Sequence, residues 1–182
     1  MIEWVVAIGG PPGSGKSTAG RRVAETLHLE YRSAGEMFRA EATRRGLDLA
    51  AFGRFAEEHP EVDRELDRSL QALARPGVLF DGRIQGILCR RNGTPVRYVV
   101  VTASEEERAR RVAERDGGSV VRATQEIRTR EASERARYAR FYGIDVDREV
   151  PDLTVDSTAR TPEEVARTIV EFVRASGRDG PG

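Results

Sequence analysis

Apolar residues recur along the chain in two rhythms, short unbroken runs and three-to-four-residue spacings, and the two alternate. Val5-Val6-Ala7-Ile8 reads as a buried strand, and Thr18 to Leu27 follows with Val23, Ala24 and Leu27 at helical spacing. His28 to Ser33 is short and partly alternating, a second strand ending at Ser33. Three helices are predicted next. One covers residues 35–45 and is stopped by Gly46; a second is capped by Asp48 ahead of Leu49, Phe52, Phe55 and Ala56 and ends at His59-Pro60. The third, from Glu61 to Ala74, carries Val62, Leu66, Leu70 and Leu73 on one face and is ended by Pro76-Gly77. Three helices between two strands exceed what a simple crossover needs, so this segment is expected to form a small subdomain.

Val78-Leu79-Phe80 is the third strand, followed by a short helix through Ile84–Cys89 and a loop at Asn92–Pro95. Val96 to Thr102 is the fourth strand. Ser104 opens a helix with Glu107 three residues on, the spacing of a capping box, and that helix stops near Asp116-Gly117-Gly118. Ser119 to Tyr142 is helical but arginine-rich, with few large apolar residues, and is expected to project outward. Leu153-Thr154-Val155 makes the last strand, and Thr161-Pro162-Glu163-Glu164 launches a final helix with Val165, Ile169, Phe172 and Val173 inward. Gly177 to Gly182 reads as a frayed tail.

Five strands alternating with helices predict an α/β fold, a three-layer sandwich with a five-stranded parallel sheet inside. At 182 residues the chain suits one domain. Ligands on such sheets gather at the carboxyl ends of the strands, so residues 10–17, Ser33, Asp81–Arg83 and the segment after Thr102 are expected to share one cleft.

Composition narrows the partners. Thirty acidic residues balance thirty basic ones, which argues against capture of nucleic acid or an anionic membrane by net charge. Cys89 is the single cysteine, so neither a disulfide framework nor a cysteine metal cluster is expected, and His28 and His59 offer it no recognisable pairing. No apolar stretch approaches membrane-spanning length, and the first hydrophobic segment lacks a basic lead; the chain is read as a cytoplasmic monomer.

The chemistry starts at Gly10-Pro11-Pro12-Gly13-Ser14-Gly15-Lys16-Ser17-Thr18, a G-x-x-x-x-G-K-[ST] loop between strand and helix. Glycines let successive backbone N–H groups turn inward around a polyphosphate, and the following helix aims its positive end at the same point. Lys16 would reach the β- and γ-phosphates and the Ser17 hydroxyl would ligate Mg2+. Lys16 is the only lysine among the 30 basic residues, so a compact ammonium stands here where the chain elsewhere uses arginine. Asp81, ending the third strand's apolar run, is placed to hold Mg2+ opposite Ser17, although an Asp-Gly pair is also a common turn. Arg83, two residues on, points to the same cleft and is a candidate clamp for an acceptor phosphate. Ten arginines follow between Arg108 and Arg140, interleaved with glutamates as on a solvated helix face. Arg111 and Arg115 nevertheless share one helix face, and so do Arg130 and Arg137. A mobile flap bearing such arginines would place cations around a moving phosphoryl group and exclude water.

Taken in order, the loop, Ser33-Ala34-Gly35-Glu36-Met37-Phe38-Arg39, Asp81-Gly82-Arg83, and Arg130-Glu131-Ala132-Ser133-Glu134 running on to Arg137-Tyr138 and Tyr142-Gly143-Ile144-Asp145 resemble the nucleoside monophosphate kinases, above all the compact cytidylate kinases of archaea. The resemblance spans about Ile2 to Phe172. It implies a phosphate-loop kinase domain with core segments 1–33, 75–116 and 143–176, a helical monophosphate-binding insert over 34–74 and a lid over 117–142. It further implies ATP as donor, Mg2+ as cofactor, and small nucleotides as the only partners. Arg39 and Arg83 would hold the acceptor phosphate with Ser33 and Gly35 nearby. Arg111 would lie against adenine, Arg115, Arg130 and Arg137 would bridge phosphates, and Ser157-Thr158-Ala159 would edge the adenine. Where the archaeal type reads Leu-Ala-Gly-Trp after the Asp-Gly-Arg triplet, this chain has Ile84-Gln85-Gly86-Ile87, so acceptor choice is expected to turn on Ile84-Gln85. Asp63, Arg64 and Asp67 would either contact a pyrimidine or form the solvated face of their helix.

The expected activity is therefore transfer of the γ-phosphoryl group of ATP to CMP or dCMP. The alternatives are a phosphate-loop kinase for another small molecule and a nucleotide-driven switch or motor. A GTPase switch lacks its Asn-Lys-x-Asp motif here, and a transporter ATPase its Leu-Ser-Gly-Gly-Gln signature.

Overall fold

A computed structural model describes residues 2–176; the expected tail over 177–182 lies outside the described residues. The elements run β1 (Val5–Gly9), α1 (Lys16–Leu27), β2 (Glu30–Ser33), α2 (Ala34–Arg44), α3 (Leu49–Glu58), α4 (Pro60–Gln71), β3 (Val78–Asp81), α5 (Gln85–Arg91), β4 (Val96–Thr102), α6 (Glu105–Asp116), α7 (Val120–Tyr142), β5 (Leu153–Asp156) and α8 (Pro162–Ala175). All five strands are parallel, in the order β2-β3-β1-β4-β5. The register brings Ile8 and Ser33 on either side of Asp81, so the carboxyl ends of β1, β2 and β3 finish level.

Alternation along β1 divides the core. Val6 and Ile8 join the cluster under α1 and α8, with Val23, Ile169 and Val173, while Val5 and Ala7 join the opposite cluster with Phe80, Ile87 and Ile144. Both faces of the sheet are covered, as continuous apolar runs in β1 and β3 require. The second cluster is closed by a near approach: a Cβ on Gly86 of α5 would overlap the Tyr98 ring of β4. Gly86→Ala is thus expected to cost about 1–3 kcal/mol and lower Tm by roughly 3–10 °C, read by thermal unfolding. An unchanged Tm would mean that α5 shifts without penalty.

Three expectations are corrected. The third insert helix ends at Gln71, not Ala74: residues 72–74 are bonded as turns, with Leu73 N–H on the Leu70 carbonyl, before the Pro76-Gly77 stop is reached. At α6 only half a capping box forms. Ser104 Oγ accepts the Glu107 N–H, but the Ser104 N–H goes to Thr158 Oγ1 at 2.9 Å, and the Glu107 carboxylate is drawn to Arg110 and Arg111. The full box occurs instead at Thr161 and Glu164, opening α8. Finally, α7 does not project outward. Its first half packs on α6 through the small residues Ala109, Ala113 and Ala123 with Val112 and Ile127, and its second half lays Tyr138 and Tyr142 against the sheet's second cluster. Its buried stripe continues past Ile127 as Glu131, Glu134 and Arg137, charged groups that are inside because each has a charged partner. The helices α2, α3 and α4 share a small core of their own around Ala42, Phe52 and Val62, with Phe38 and Phe55 against it.

Candidate active site

The loop between β1 and α1 turns with Gly10, Gly13 and Gly15 at φ 141°, 79° and 83°. Gly15 precedes α1 with no side-chain cap, leaving the helix's first N–H groups directed at the loop's interior. Three of the loop's carbonyls, groups that would repel phosphate, are engaged by donors, two from outside the loop and one from within it. The Pro12 carbonyl accepts from Arg108 Nη1 at 3.1 Å, the Ser14 carbonyl from Ser157 Oγ at 2.8 Å, and the Pro11 carbonyl from the Ser14 N–H at 3.2 Å and from Lys16 Nζ at 3.5 Å. Burial pushes the Lys16 ammonium down from its ordinary pKa; the Asp81 carboxylate opposes this and the Arg130 charge adds to it.

Asp81 is 2% exposed. Its Oδ2 accepts from Tyr31 Oη at 2.6 Å and Ser33 Oγ at 3.3 Å, whereas Oδ1 is buried with no partner. Burial and the neighbouring Asp81 charge push the Tyr31 phenol well up, so it stays a donor. Ser33 also caps α2, accepting the Glu36 N–H. An orphaned carboxylate oxygen, with Ser17 on the same cleft wall, is the hard-oxygen donor set that Mg2+ takes with the rest of its shell from water and phosphate. Among the described residues no group of three or more His, Cys, Asp or Glu gathers as a protein-only metal site.

Opposite the loop, Arg130 Nε donates to Glu134 Oε1 at 2.8 Å. Burial alone would raise the Glu134 carboxyl, but the charges of Arg130, Lys16 and Arg83 outweigh it and hold the group below its ordinary value. Arg137 is bound through Nη1 to both Asp63 oxygens, at 2.5 and 2.6 Å, so α7 and α4 meet in a buried ion pair. Arg39 and Arg83 line the same cleft and form no salt bridge among the described residues. Arg54 and Arg160 also line it without a salt bridge; Arg83 stands out by its place just past the carboxyl end of β3, with its Nε buried and without a partner.

Between α4 and α5 lies a polar network. Asp67 accepts from Gln85 Nε2 and Tyr142 Oη, each at 2.6 Å, and Gln71 donates to Gln85 Oε1 at 2.7 Å. Burial raises the Asp67 carboxyl to about 6, against the pull of its two donors. Ile84 is 1% exposed and packs in the second core cluster. Arg111 fastens the loop to the turn after β5, giving Nη1 to the Ser14 carbonyl at 3.4 Å and to Ser157 Oγ at 2.8 Å, and Nη2 to the Ser157 carbonyl at 2.7 Å.

The cleft measures about 2140 Å³. Single-ligand pockets run to roughly 1,000 Å³, so there is room for two nucleotides end to end. Of the residues expected at the site, Pro11 and Arg64 do not line it, Pro11 serving through its carbonyl and Arg64 being exposed on α4; Thr158 and Ala159 line it, and Arg115 reaches it while paired with its neighbour Asp116. Asp63 and Asp67 are not a solvated face, being tied to Arg137 and to Gln85. Sequence reasoning missed Tyr31, Arg108, Glu131, Glu134, Tyr142 and Gln71. Strand alternation places Tyr31 beside Ser33, and Arg108 shares the helix face of Arg111 and Arg115, so those two were within reach of periodicity.

The AAA domain family's sequence profile matches residues 9–129. A cytidylate kinase of Aeropyrum pernix is 45% identical over 172 residues, covering 93% of this chain and 99% of that protein; another, of Pyrobaculum arsenaticum, is 39% identical over 170 residues, covering 92% and 91%. Among solved structures, a shikimate kinase of Bacteroides thetaiotaomicron has a TM-score of 0.57 at 15% identity, covering 94% of this chain and 98% of that one. A gluconokinase of Sinorhizobium meliloti reaches 0.60 at 16% identity, covering 97% and 95%. These two share the fold. With relatives at 39–45% identity matched over nearly their whole length, and a glycine-rich phosphate loop opening on a large cleft, the chain belongs to the cytidylate kinase family.

Proposed function

We propose that the protein transfers the γ-phosphoryl group of ATP to a nucleoside monophosphate, CMP or dCMP, giving ADP and the diphosphate. The observation that carries this reading is that Arg39 on α2 and Arg83 just past β3, neither held by a salt bridge among the described residues, line the same cleft as the phosphate loop. They suit an acceptor that brings its own phosphate. The loop N–H groups and Lys16 hold the donor phosphates, and Arg130 stands between the two halves. The attacking phosphate oxygen is already ionised, so no general base is required, and positioning with charge neutralisation supplies the catalysis. Mg2+, held by Ser17 and Asp81, would neutralise charge on the β- and γ-oxygens. In this reading 34–74 is the acceptor-binding insert and 117–142 the lid that closes on both nucleotides.

Asp67, presented by Gln85 and Tyr142, is an acceptor suited to the exocyclic amino group of cytosine, which uracil lacks. The ionised carboxylate accepts best, so KM for CMP should fall as pH rises through about 6 while KM for ATP stays flat. Stability runs the other way. The folded carboxyl keeps its proton up to about 6, whereas an unfolded one releases it near 4, so this group's contribution declines as pH climbs from 4 to 6. The Tm difference between wild type and Asp67→Asn across that window measures it; a constant difference would refute the assignment.

The reading extends to a cytoplasmic monomer acting on small nucleotides only. The balance of 30 acidic and 30 basic residues supports the exclusion of nucleic acid and of an anionic membrane surface as partners. Among the described residues no helix is long and apolar enough to cross a membrane. The deciding experiment is ATP consumption by purified protein with CMP, dCMP, UMP, AMP, GMP and dTMP. Stimulation by CMP and dCMP above the others is expected; no stimulation by any monophosphate would sink the reading and favour a kinase for another small molecule.

A further inference from the structure

Arg108 and Glu131 form a buried ion pair outside the set of groups that face either nucleotide. Arg108 is 7% exposed and Glu131 8%. One nitrogen, Arg108 Nη1, lies 2.7 Å from Glu131 Oε1 and 3.1 Å from the Pro12 carbonyl, so α6 joins the phosphate loop and the lid helix α7 through a single donor group. The loop touches this residue closely as well: a Cβ on Gly13 would stand 2.8 Å from the Arg108 carbonyl oxygen and 3.0 Å from its Cβ. One helical turn further along, the contacts of Ala109, Val112 and Ala113 with Ala123 and Ile127 lock α6 to α7.

The chemistry of the loop gives this pair a purpose. An anion site built from N–H groups needs its carbonyls turned out, and a carbonyl turned out must find a donor. Arg108 is that donor for Pro12. Glu131, the counter-charge that makes burial of Arg108 tolerable, directly follows Arg130 and precedes Glu134 by three residues, and Glu134 sits among the charges of Lys16, Arg83 and Arg130. A shift of Glu131 therefore carries Arg130 with it.

We infer that Arg108 is a positioning residue which, through the Pro12 carbonyl and Glu131, sets the shape of the phosphate loop and the placement of Arg130 together. The inference rests on the kinase reading only for its turnover predictions; the polyphosphate-binding predictions stand apart from it. Removing Arg108 should damage both ends of the strut, and removing the Glu131 charge only the lid end.

The test uses the full chain with Arg108→Met, Arg108→Lys, Glu131→Gln and the double variant, measuring kcat, KM for ATP and for CMP, and calorimetric binding of inorganic tripolyphosphate without acceptor. Arg108→Met is expected to weaken tripolyphosphate binding and raise KM for ATP about tenfold, and to lower kcat about 10- to 100-fold, with KM for CMP within about twofold. Glu131→Gln should lower kcat about tenfold while tripolyphosphate binding stays within about twofold, and Arg108→Lys should recover most of the polyphosphate affinity. The double variant should be no worse than Arg108→Met, because the two act as one unit. Variants that lose Tm but keep wild-type kcat and tripolyphosphate affinity would overturn the inference, as would parallel losses for ATP and CMP. If Arg108→Met does not fold, Glu131→Gln decides: a kcat within about twofold of wild type overturns the inference, and a tenfold fall with tripolyphosphate affinity kept supports it. Absence of monophosphate-stimulated turnover in the wild type would strike the kinase reading instead, and tripolyphosphate binding by Arg108→Met would then judge the strut.

Discussion

Lys16→Arg is expected to lower kcat by at least about 100-fold while leaving KM for CMP and the folded state nearly unchanged. Charge is conserved, so a site that needs only a cation in the loop would tolerate the change. The structure argues that it will not. The Lys16 Nζ rests 3.5 Å from the Pro11 carbonyl inside a loop whose glycines have brought the backbone close, and burial already strains the ammonium's charge. A point charge on a flexible stem can follow a phosphoryl group as it moves, whereas a planar guanidinium needs a fixed fork and more room. Steady-state kinetics with unchanged circular dichroism would check this. Near-normal kcat would mean that the single lysine of the chain is a compositional accident.

Asp81→Asn should have a comparable effect, a fall in kcat of roughly 100-fold or more, accompanied by a marked rise in the Mg2+ concentration needed for half-maximal activity. The substitution is well matched to the question. Tyr31 Oη and Ser33 Oγ both donate to Oδ2, and the amide oxygen of asparagine can keep both bonds. What is lost is the charge and the acceptor at Oδ1, the buried oxygen with no protein partner. A Tm near the wild-type value with collapsed activity is therefore expected. Should the variant show the wild-type Mg2+ dependence, Asp81 would be a structural partner of Tyr31 and Ser33 and no more.

Much of the fold was legible because its signals are local. The apolar runs at residues 5–8 and 78–80 can only be strands buried on both faces, and Gly10 to Ser17 between a strand and a helix has one familiar use. The kinase family came from resemblance, carried by the ordered set of motifs from the loop through Asp81-Gly82-Arg83 to the arginine series. The loss came in α7. Periodicity counts apolar residues, and there the inward stripe changes at Glu131 from apolar to charged, so a packed helix read as a solvated one. The capping of α6 failed similarly: Ser104 and Glu107 have the right spacing, but Arg110, Arg111 and Thr158 compete for their bonds, and two of those groups come from the same helix while the third lies 54 residues from Ser104.

By itself, then, the sequence determined the alternation of elements, the phosphate loop with its lone lysine, and a supply of arginines too abundant to sort. Tertiary structure alone decided which arginines are available. Arg108 and Arg137 are consumed by Glu131 and Asp63, partners 23 and 74 residues away, while Arg39 and Arg83 stay unpaired among the described residues and face the cleft. The reason is physical: a guanidinium has the same intrinsic chemistry at every position, and only the carboxylates that folding brings near it determine whether its charge is spent on the protein or left for a phosphate.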